Sequence, residues 1–174
     1  MRPIADDASL RAFMRELGRE ADEEAAVYFT GGATAVLLGW RRSTIDANIR
    51  FIPDSDRLLR VTPRLKESLR INVDLTSPAD FIPELPGWKE RSIFIAREGR
   101  ISFHHYDLYS QALSKVERGH RQDLEDVEVM LERRLIDPRK ALELFAAIEP
   151  YFYLYPAISG PSFQSAAERV FGRP

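Results

Sequence analysis

The stretch Ala25-Ala26-Val27-Tyr28-Phe29-Thr30-Gly31-Gly32-Ala33-Thr34-Ala35-Val36-Leu37-Leu38-Gly39-Trp40-Arg41-Arg42-Ser43-Thr44-Ile45-Asp46-Ala47-Asn48 decides the fold. Ala25 to Phe29 is short, apolar and partly aromatic, which reads as a buried strand. Thr30-Gly31-Gly32 ends it in a glycine turn. Ala33 to Trp40, rich in Ala, Leu and Val, suits a short helix. A second strand follows over Ser43 to Pro53. There Ile45, Ala47, Ile49 and Phe51 alternate with Thr44, Asp46, Asn48 and Arg50, the period-2 pattern of a half-buried strand.

Outward from this stretch, Leu10, Phe13, Met14 and Leu17 fall on one helical face, so Ala8 to Ala21 reads as an amphipathic helix. After the second strand, Asp54 or Ser55 can cap a helix that runs to about Arg70. Pro63 lies inside it, and the expectation is a kink or a split. Ile71 to Leu75 is a third strand and contains Asp74. Thr76 to Trp88, with three prolines and a glycine, reads as an ordered loop. Ser92 to Ala96 and Ile101 to Tyr106 form a hairpin around Arg97-Glu98-Gly99-Arg100. From Asp107 the pattern is helical, over Leu108–Arg118, Gln122–Arg134 and Pro138–Ile148. Asp137 before Pro138 is a helix-start signal. Tyr151 to Pro156 is aromatic, and a terminal helix spans about Ser162–Phe171. The predicted fold is α/β (α+β): a mixed sheet flanked by helices over residues 1–106, with a helical region over 107–174 packed on it.

The 174 residues are 44% apolar and 30% charged, ordinary for a globular chain long enough to build a core. Without cysteine there is no disulfide framework, thiol nucleophile or Cys-ligated zinc. This fits a reducing cytoplasm. The acidic start predicts no signal peptide, and no apolar run reaches the ~20 residues of a membrane span. A net charge of -2 gives no global attraction to nucleic acid.

The chemistry points to Gly31-Gly32, Arg41-Arg42-Ser43-Thr44, Asp46-x-Asn48 and Asp74. Side chains at i and i+2 of a strand share a face, so Asp46 and Asn48 are neighbours, and Asp74 on another strand can stand beside them. Hard oxygen donors on strands are what Mg²⁺ takes. Backbone N–H groups at a glycine turn before a helix can receive phosphate. Metal and phosphate together suggest phosphoryl or nucleotidyl transfer, in which positioning and charge neutralisation do most of the catalysis. Each piece alone is better explained as a turn or a solvated strand face; the conjunction carries the reading.

The run Gly31 to Asn48 resembles the signature of the DNA polymerase β-like nucleotidyltransferase superfamily, in particular the small bacterial branch related to AbiEii-type toxins. The resemblance extends to Asp74, at the third carboxylate, and to Lys115, Arg118, Asp123 and Asp126 in the helical half. It implies that Gly31, Gly32, Arg42, Ser43 and Thr44 contact a nucleoside triphosphate. Asp46, Asn48 and Asp74 would hold Mg²⁺ or Mn²⁺, Asp74 would help deprotonate an acceptor hydroxyl, and Lys115 would reach the phosphates. The implied activity moves a nucleoside monophosphate to an RNA or protein hydroxyl, as in the toxin of a toxin–antitoxin pair, with an antitoxin as partner. Asn48 departs from the branch's Asp-x-Asp and removes a formal charge. The alternative is a nucleotide-binding or regulatory module with impaired catalysis.

Other groups carry less. His104 and His105 point to opposite faces of a strand and cannot easily share an ion with Asp107. The arginines at 41, 42, 50, 57, 60 and 64 suit a solvated surface better than an RNA site. Tyr151, Phe152, Tyr153 and Tyr155 suit packing better than base stacking.

Overall fold

The computed structural model describes residues 3–172. Contacts divide the chain into two units. One takes in the chain up to Ser77 together with Ser92–His105; the other takes in Pro78–Arg91 and the chain from Tyr106 onward.

The first unit is a five-stranded sheet with three helices. Its elements are α1 (Asp7–Glu20), β1 (Ala25–Thr30), α2 (Gly32–Leu37), β2 (Asp46–Ile52), α3 (Asp56–Leu69), β3 (Asn72–Asp74), and then β4 (Ile93–Glu98) and β5 (Ile101–His105). The strand order is β3-β2-β1-β5-β4. β1 runs antiparallel to β2 and parallel to β5, β2 runs parallel to β3, and β4 runs antiparallel to β5. This is the mixed sheet that the alternation predicts.

Alternation also divides the faces. Val27, Phe29, Ala47, Ile49, Phe51, Ile101 and Phe103 join the core with Leu10, Phe13, Met14 and Leu17 of α1 and Leu58 and Leu65 of α3. Asp46, Asn48 and Arg50 point from the other face of β2 and are only half-buried. α1 begins at a capping box: the Ser9 N–H donates to Asp6 Oδ1 at 2.8 Å, and the Asp6 N–H donates to Ser9 Oγ at 2.8 Å.

Several elements differ in extent or continuity from the sequence reading. α2 stops at Leu37, before Gly39 takes φ +91, and β2 begins at Asp46 rather than Ser43. α3 is one helix with Pro63 inside it, neither split nor ended there. The proline lacks one N–H and is exposed, while Leu58, Thr62 and Leu65 are buried, so tertiary packing holds the helix across the gap. Thr62 Oγ1 donates to the Leu58 carbonyl at 2.7 Å in the turn before the proline.

The second unit is helical: α4 (Trp88–Arg91), α5 (Leu108–Arg118), α6 (Arg121–Glu132), α7 (Pro138–Ile148) and α8 (Gly160–Phe171), with 3₁₀ turns at Pro78–Asp80 and Glu149–Leu154. Asp107 caps α5 and Asp137 caps α7, the latter with Pro138 in the first turn. Residues 78–91, which take in most of the Thr76–Trp88 stretch read above as a loop, group with these helices, and Trp88 stacks on Tyr106 at 4.2 Å between ring centroids. Phe152 packs on Phe145 and Phe163, whereas Tyr151 and Tyr153 are exposed. Among the described residues no helix is long and apolar enough to cross a membrane.

α1 meets the β4–β5 hairpin backbone to backbone. A Cβ on Gly18 would lie 2.5 Å from the Glu98 carbonyl oxygen. Gly18→Ala is therefore expected to destabilise the protein by about 1–3 kcal/mol, although alanine is the better helix former. Urea unfolding reads this as a lower midpoint at unchanged slope; an equal or higher midpoint would show that the hairpin yields.

Candidate functional site

The β2–β3 pairing assembles the polar residues that the sequence singled out. Asp46 stands opposite Asn72 and Asn48 opposite Asp74. On the other side of β2, Asn48 pairs with Thr30, the residue before Gly31. Asp46, Asn48, Asp74 and the glycine turn thus lie on one stretch of sheet face. Asn72 Nδ2 donates to Asp46 Oδ1. Each cross-strand pair holds one carboxylate and one amide, so no two carboxylates oppose directly, an arrangement that avoids like-charge repulsion across a strand pair.

The glycines have local reasons. Gly31 takes φ +65, which favours glycine, and a Cβ there would come 3.2 Å from Asn48 Nδ2. Gly32 is in closer quarters: a Cβ would sit 2.0 Å from Thr44 Oγ1. That hydroxyl donates to the Asp46 carbonyl at 3.0 Å, so Thr44 ties the glycine turn to the start of β2. Ser43 is half-buried and Arg42 is exposed beside this junction. α2 spans only Gly32–Leu37, so its dipole adds little at the turn.

The donor set suits a hard cation: two carboxylates and the amide oxygens of two asparagines. Among the described residues no three His, Cys, Asp or Glu side chains cluster as a self-sufficient metal cage. Magnesium is commonly held by one or two carboxylates and completed by substrate phosphates, and Asp46 with Asp74 fits that mode.

Lys115 belongs to the second unit. Its ammonium is buried and held by Asp126 at 2.8 Å and Asp123 at 3.2 Å, and Arg118 reaches Asp123 at 3.0 Å. α5 and α6 are thereby joined through a desolvated charge network. Asp107 is likewise engaged, as the cap of α5 and the partner of Arg91 at 2.8 and 3.1 Å.

The histidines separate as their alternation predicts. His104 stacks on Tyr28 and hydrogen-bonds Ser102. His105 turns into the core, with Nδ1 3.2 Å from Thr34 Oγ1. That hydroxyl also bonds the Phe29 carbonyl, which links the ring to the end of β1. Burial, and then the charges of Arg11 and His104, push the imidazole down to about 4.

Sequence reasoning missed Asn72 and Lys66, which lines a cleft with Asp46 and Asp74. The i−2 spacing from Asp74 could have found Asn72; no local pattern marks Lys66, because the return from α3 to β3 brings it there.

A family model described as a nucleotidyltransferase of unknown function (DUF6036) matches residues 8–149. No curated protein and no solved structure matches the chain.

Two stability predictions follow from the buried ionisable groups. An imidazole held near 4 when folded, against 6.5 when unfolded, binds protons more weakly in the folded state. Its full contribution is present above pH 6.5 and is lost as pH falls through about 4. Urea titrations from pH 7 to 4 are expected to show a loss on the order of 3 kcal/mol that His105→Gln lacks; parallel profiles would contradict it. Lys115→Met removes the cation from two buried carboxylates and is expected to cost about 3 kcal/mol, read as a lower urea midpoint. An unchanged midpoint would mean that the network contributes nothing to folding.

Proposed function

The chain belongs to the DUF6036 family of nucleotidyltransferases, and on that premise we propose that it transfers a nucleoside monophosphate from a nucleoside triphosphate to a hydroxyl acceptor at a Mg²⁺-dependent site on β2 and β3. The observation that carries this reading is the pairing of Asp46 with Asn72 and of Asn48 with Asp74 beside the Gly31-Gly32 turn. The acceptor belongs to RNA or protein, the classes implied by the resemblance of residues 31–48 to toxin-type nucleotidyltransferases.

The roles follow from position. Asp46 and Asp74, with the Asn48 carbonyl oxygen, would hold the metal, which when bound supplies charge neutralisation and alignment of the reacting oxygens. Asn72 fixes the Asp46 carboxylate through its amide. Gly31 and Gly32 keep the turn free of side chains, so that backbone N–H groups can approach the triphosphate. Thr44 holds that turn against β2. Asp74 accepts the proton of the attacking hydroxyl. The hydroxyl oxygen bonds to the α-phosphorus, the bond from that phosphorus to the bridging oxygen breaks, and pyrophosphate leaves with the electron pair.

Asn48 favours a second reading, a nucleotide-binding regulator with little turnover, because the site has one carboxylate fewer than Asp-x-Asp would give. The two readings separate on Asn48→Asp. That change sets two carboxylates opposite each other on β2 and β3, a pair that repels without metal.

Calorimetry with each nucleoside triphosphate is expected to show binding that requires Mg²⁺ and weakens at least about tenfold in Asp46→Ala. Asn48→Asp is expected to lower the melting temperature without metal and to regain it as Mg²⁺ is added, with greater turnover if the chain is an enzyme. Unchanged turnover with restored metal affinity would favour the regulator. Absence of nucleotide binding by both the natural chain and Asn48→Asp would sink the site.

A further inference from the structure

The return from α3 to β3 builds a cleft at the edge of the sheet. Arg70 takes a left-handed conformation, φ 52, that ends α3, and the Ile71 N–H bonds back to the Lys66 carbonyl at 3.1 Å. The last turn of α3 is thereby set beside β3, an edge strand. The cleft there has a volume of about 670 Å³. That volume lies within the range of small-ligand sites, roughly 300–1,000 Å³. Asp46 and Asp74 are part of its wall, whereas Gly31 and Gly32 are not. The glycine turn lies on the other side of β2, where Asn48 pairs with Thr30. The two carboxylates therefore stand between the turn and the cleft.

An in-line displacement sets the attacking and leaving oxygens on opposite sides of the phosphorus. With the triphosphate at the glycine turn, the cleft is the side from which an acceptor hydroxyl reaches Asp74. Its lining distinguishes between acceptor classes. RNA is bound chiefly through its phosphates, by Lys and Arg. Here three carboxylates, Asp46, Glu67 and Asp74, face one ammonium, that of Lys66. No arginine of α3 lines the cleft, and Arg57 and Arg64 are paired with Glu20. A bound Mg²⁺-triphosphate keeps a net negative charge and repels a second polyanion. Pro3, Ile45 and Pro63 add exposed apolar wall, Ile45 being 47% exposed. Glu67 is exposed in the last turn of α3 and makes no ion pair among the described residues. A carboxylate there opposes the helix dipole, so the helix itself gives no reason for it.

We infer that this cleft receives a segment of another protein, which carries a Ser, Thr or Tyr hydroxyl with a basic side chain beside it. The inference rests on the nucleotide site proposed above and names its acceptor. The hydroxyl enters along the Asp74 wall, and Glu67 meets the basic side chain. Lys66, with three donors and no acceptor, donates to main-chain carbonyls of the segment. Pro3, Ile45 and Pro63 cover its apolar parts and limit water around the attacking oxygen. The hydroxyl proton passes to the Asp74 carboxylate as the oxygen bonds to the α-phosphorus. The bond to the bridging oxygen breaks, and pyrophosphate leaves with its electron pair toward the glycine turn. The product is a phosphodiester between the nucleoside monophosphate and the side chain.

The test gives the full chain Mg²⁺, nucleoside triphosphates radiolabelled at the α-phosphate, and a set of acceptors. These are alanine–glycine peptides with a central Ser, Thr or Tyr flanked by Lys or by Glu, and an oligoribonucleotide with a free 3′-hydroxyl. Calorimetry follows Mg²⁺-triphosphate binding in parallel, for the natural chain and for Glu67→Lys. The label is expected on Lys-flanked peptides, about fivefold above Glu-flanked ones, and not on the oligoribonucleotide. Glu67→Lys is expected to reverse that preference while Mg²⁺-triphosphate binding stays the same. Label on the oligoribonucleotide, or peptide labelling indifferent to flanking charge and to Glu67→Lys, overturns the acceptor assignment and leaves nucleotidyl transfer standing. Triphosphate binding with no label on any acceptor also overturns it and favours the regulator. If the natural chain binds no triphosphate, the nucleotide site fails, and this inference with it.

Discussion

Burial of Ala47, Ile49 and Phe51 on one face of β2 is the constraint on which the site depends. These side chains close the core against α1 and α3. Because strand side chains alternate, their burial forces Asp46 and Asn48 onto the opposite face, and a slip of one residue would exchange the two sets. Pairing with β1 sets Asn48 beside Thr30 and hence beside the glycine turn, and pairing with β3 sets it opposite Asp74. The polar array is thus fixed by hydrophobic packing. None of its members needs to contribute stability to be held in place, so these positions are open to residues chosen for chemistry.

What could be read from the sequence follows from the same logic. Period-2 alternation over residues 44–51 and the helical spacing of Leu10, Phe13, Met14 and Leu17 are strong because each is repeated along one element and each reports burial. The hairpin around Gly99 and the cap at Asp137 are local and were equally legible. Of the kink or split expected at Pro63 the split does not occur, because the rule for proline is local whereas the buried side chains of α3 act at long range. The partners within the site were only half legible. Asp46, Asn48 and Asp74 could be named from the strand pattern and from resemblance, but the pairing of Asp46 with Asn72 depends on the register between two strands separated by a helix. Lys66 depends on how that helix ends.

The ionisable groups taken from water show how each unit is stabilised. His105 avoids the penalty of a buried charge by remaining neutral, and its ring bonds Thr34, which in turn bonds the Phe29 carbonyl just before the glycine turn. Lys115 meets two carboxylates. Asp107 lies under a guanidinium and two backbone N–H groups. In each case a partner of opposite charge or a hydrogen bond lies within the same unit, so these contacts support the fold. Asp74 and Lys66 differ: both are half-buried, both line the same cleft, and neither is engaged in a side-chain ion pair among the described residues.

Asn48 gains its meaning from this contrast. Its nitrogen lies toward Gly31, where a carboxylate would present an acceptor to the turn in place of a donor. Opposite Asp74 it supplies an amide, as Asn72 does opposite Asp46. The two rows therefore balance each other in the absence of any cation, at the expense of the charge density that would bind one most tightly. A third carboxylate in this array would bind metal more strongly and would also make the strand pair depend on metal for its stability. With asparagine at this position β2 and β3 can pair before a ligand arrives. In the nucleotidyl transfer proposed above, the charge missing at Asn48 would be supplied by the substrate's phosphates, so metal and triphosphate would enter together rather than in sequence.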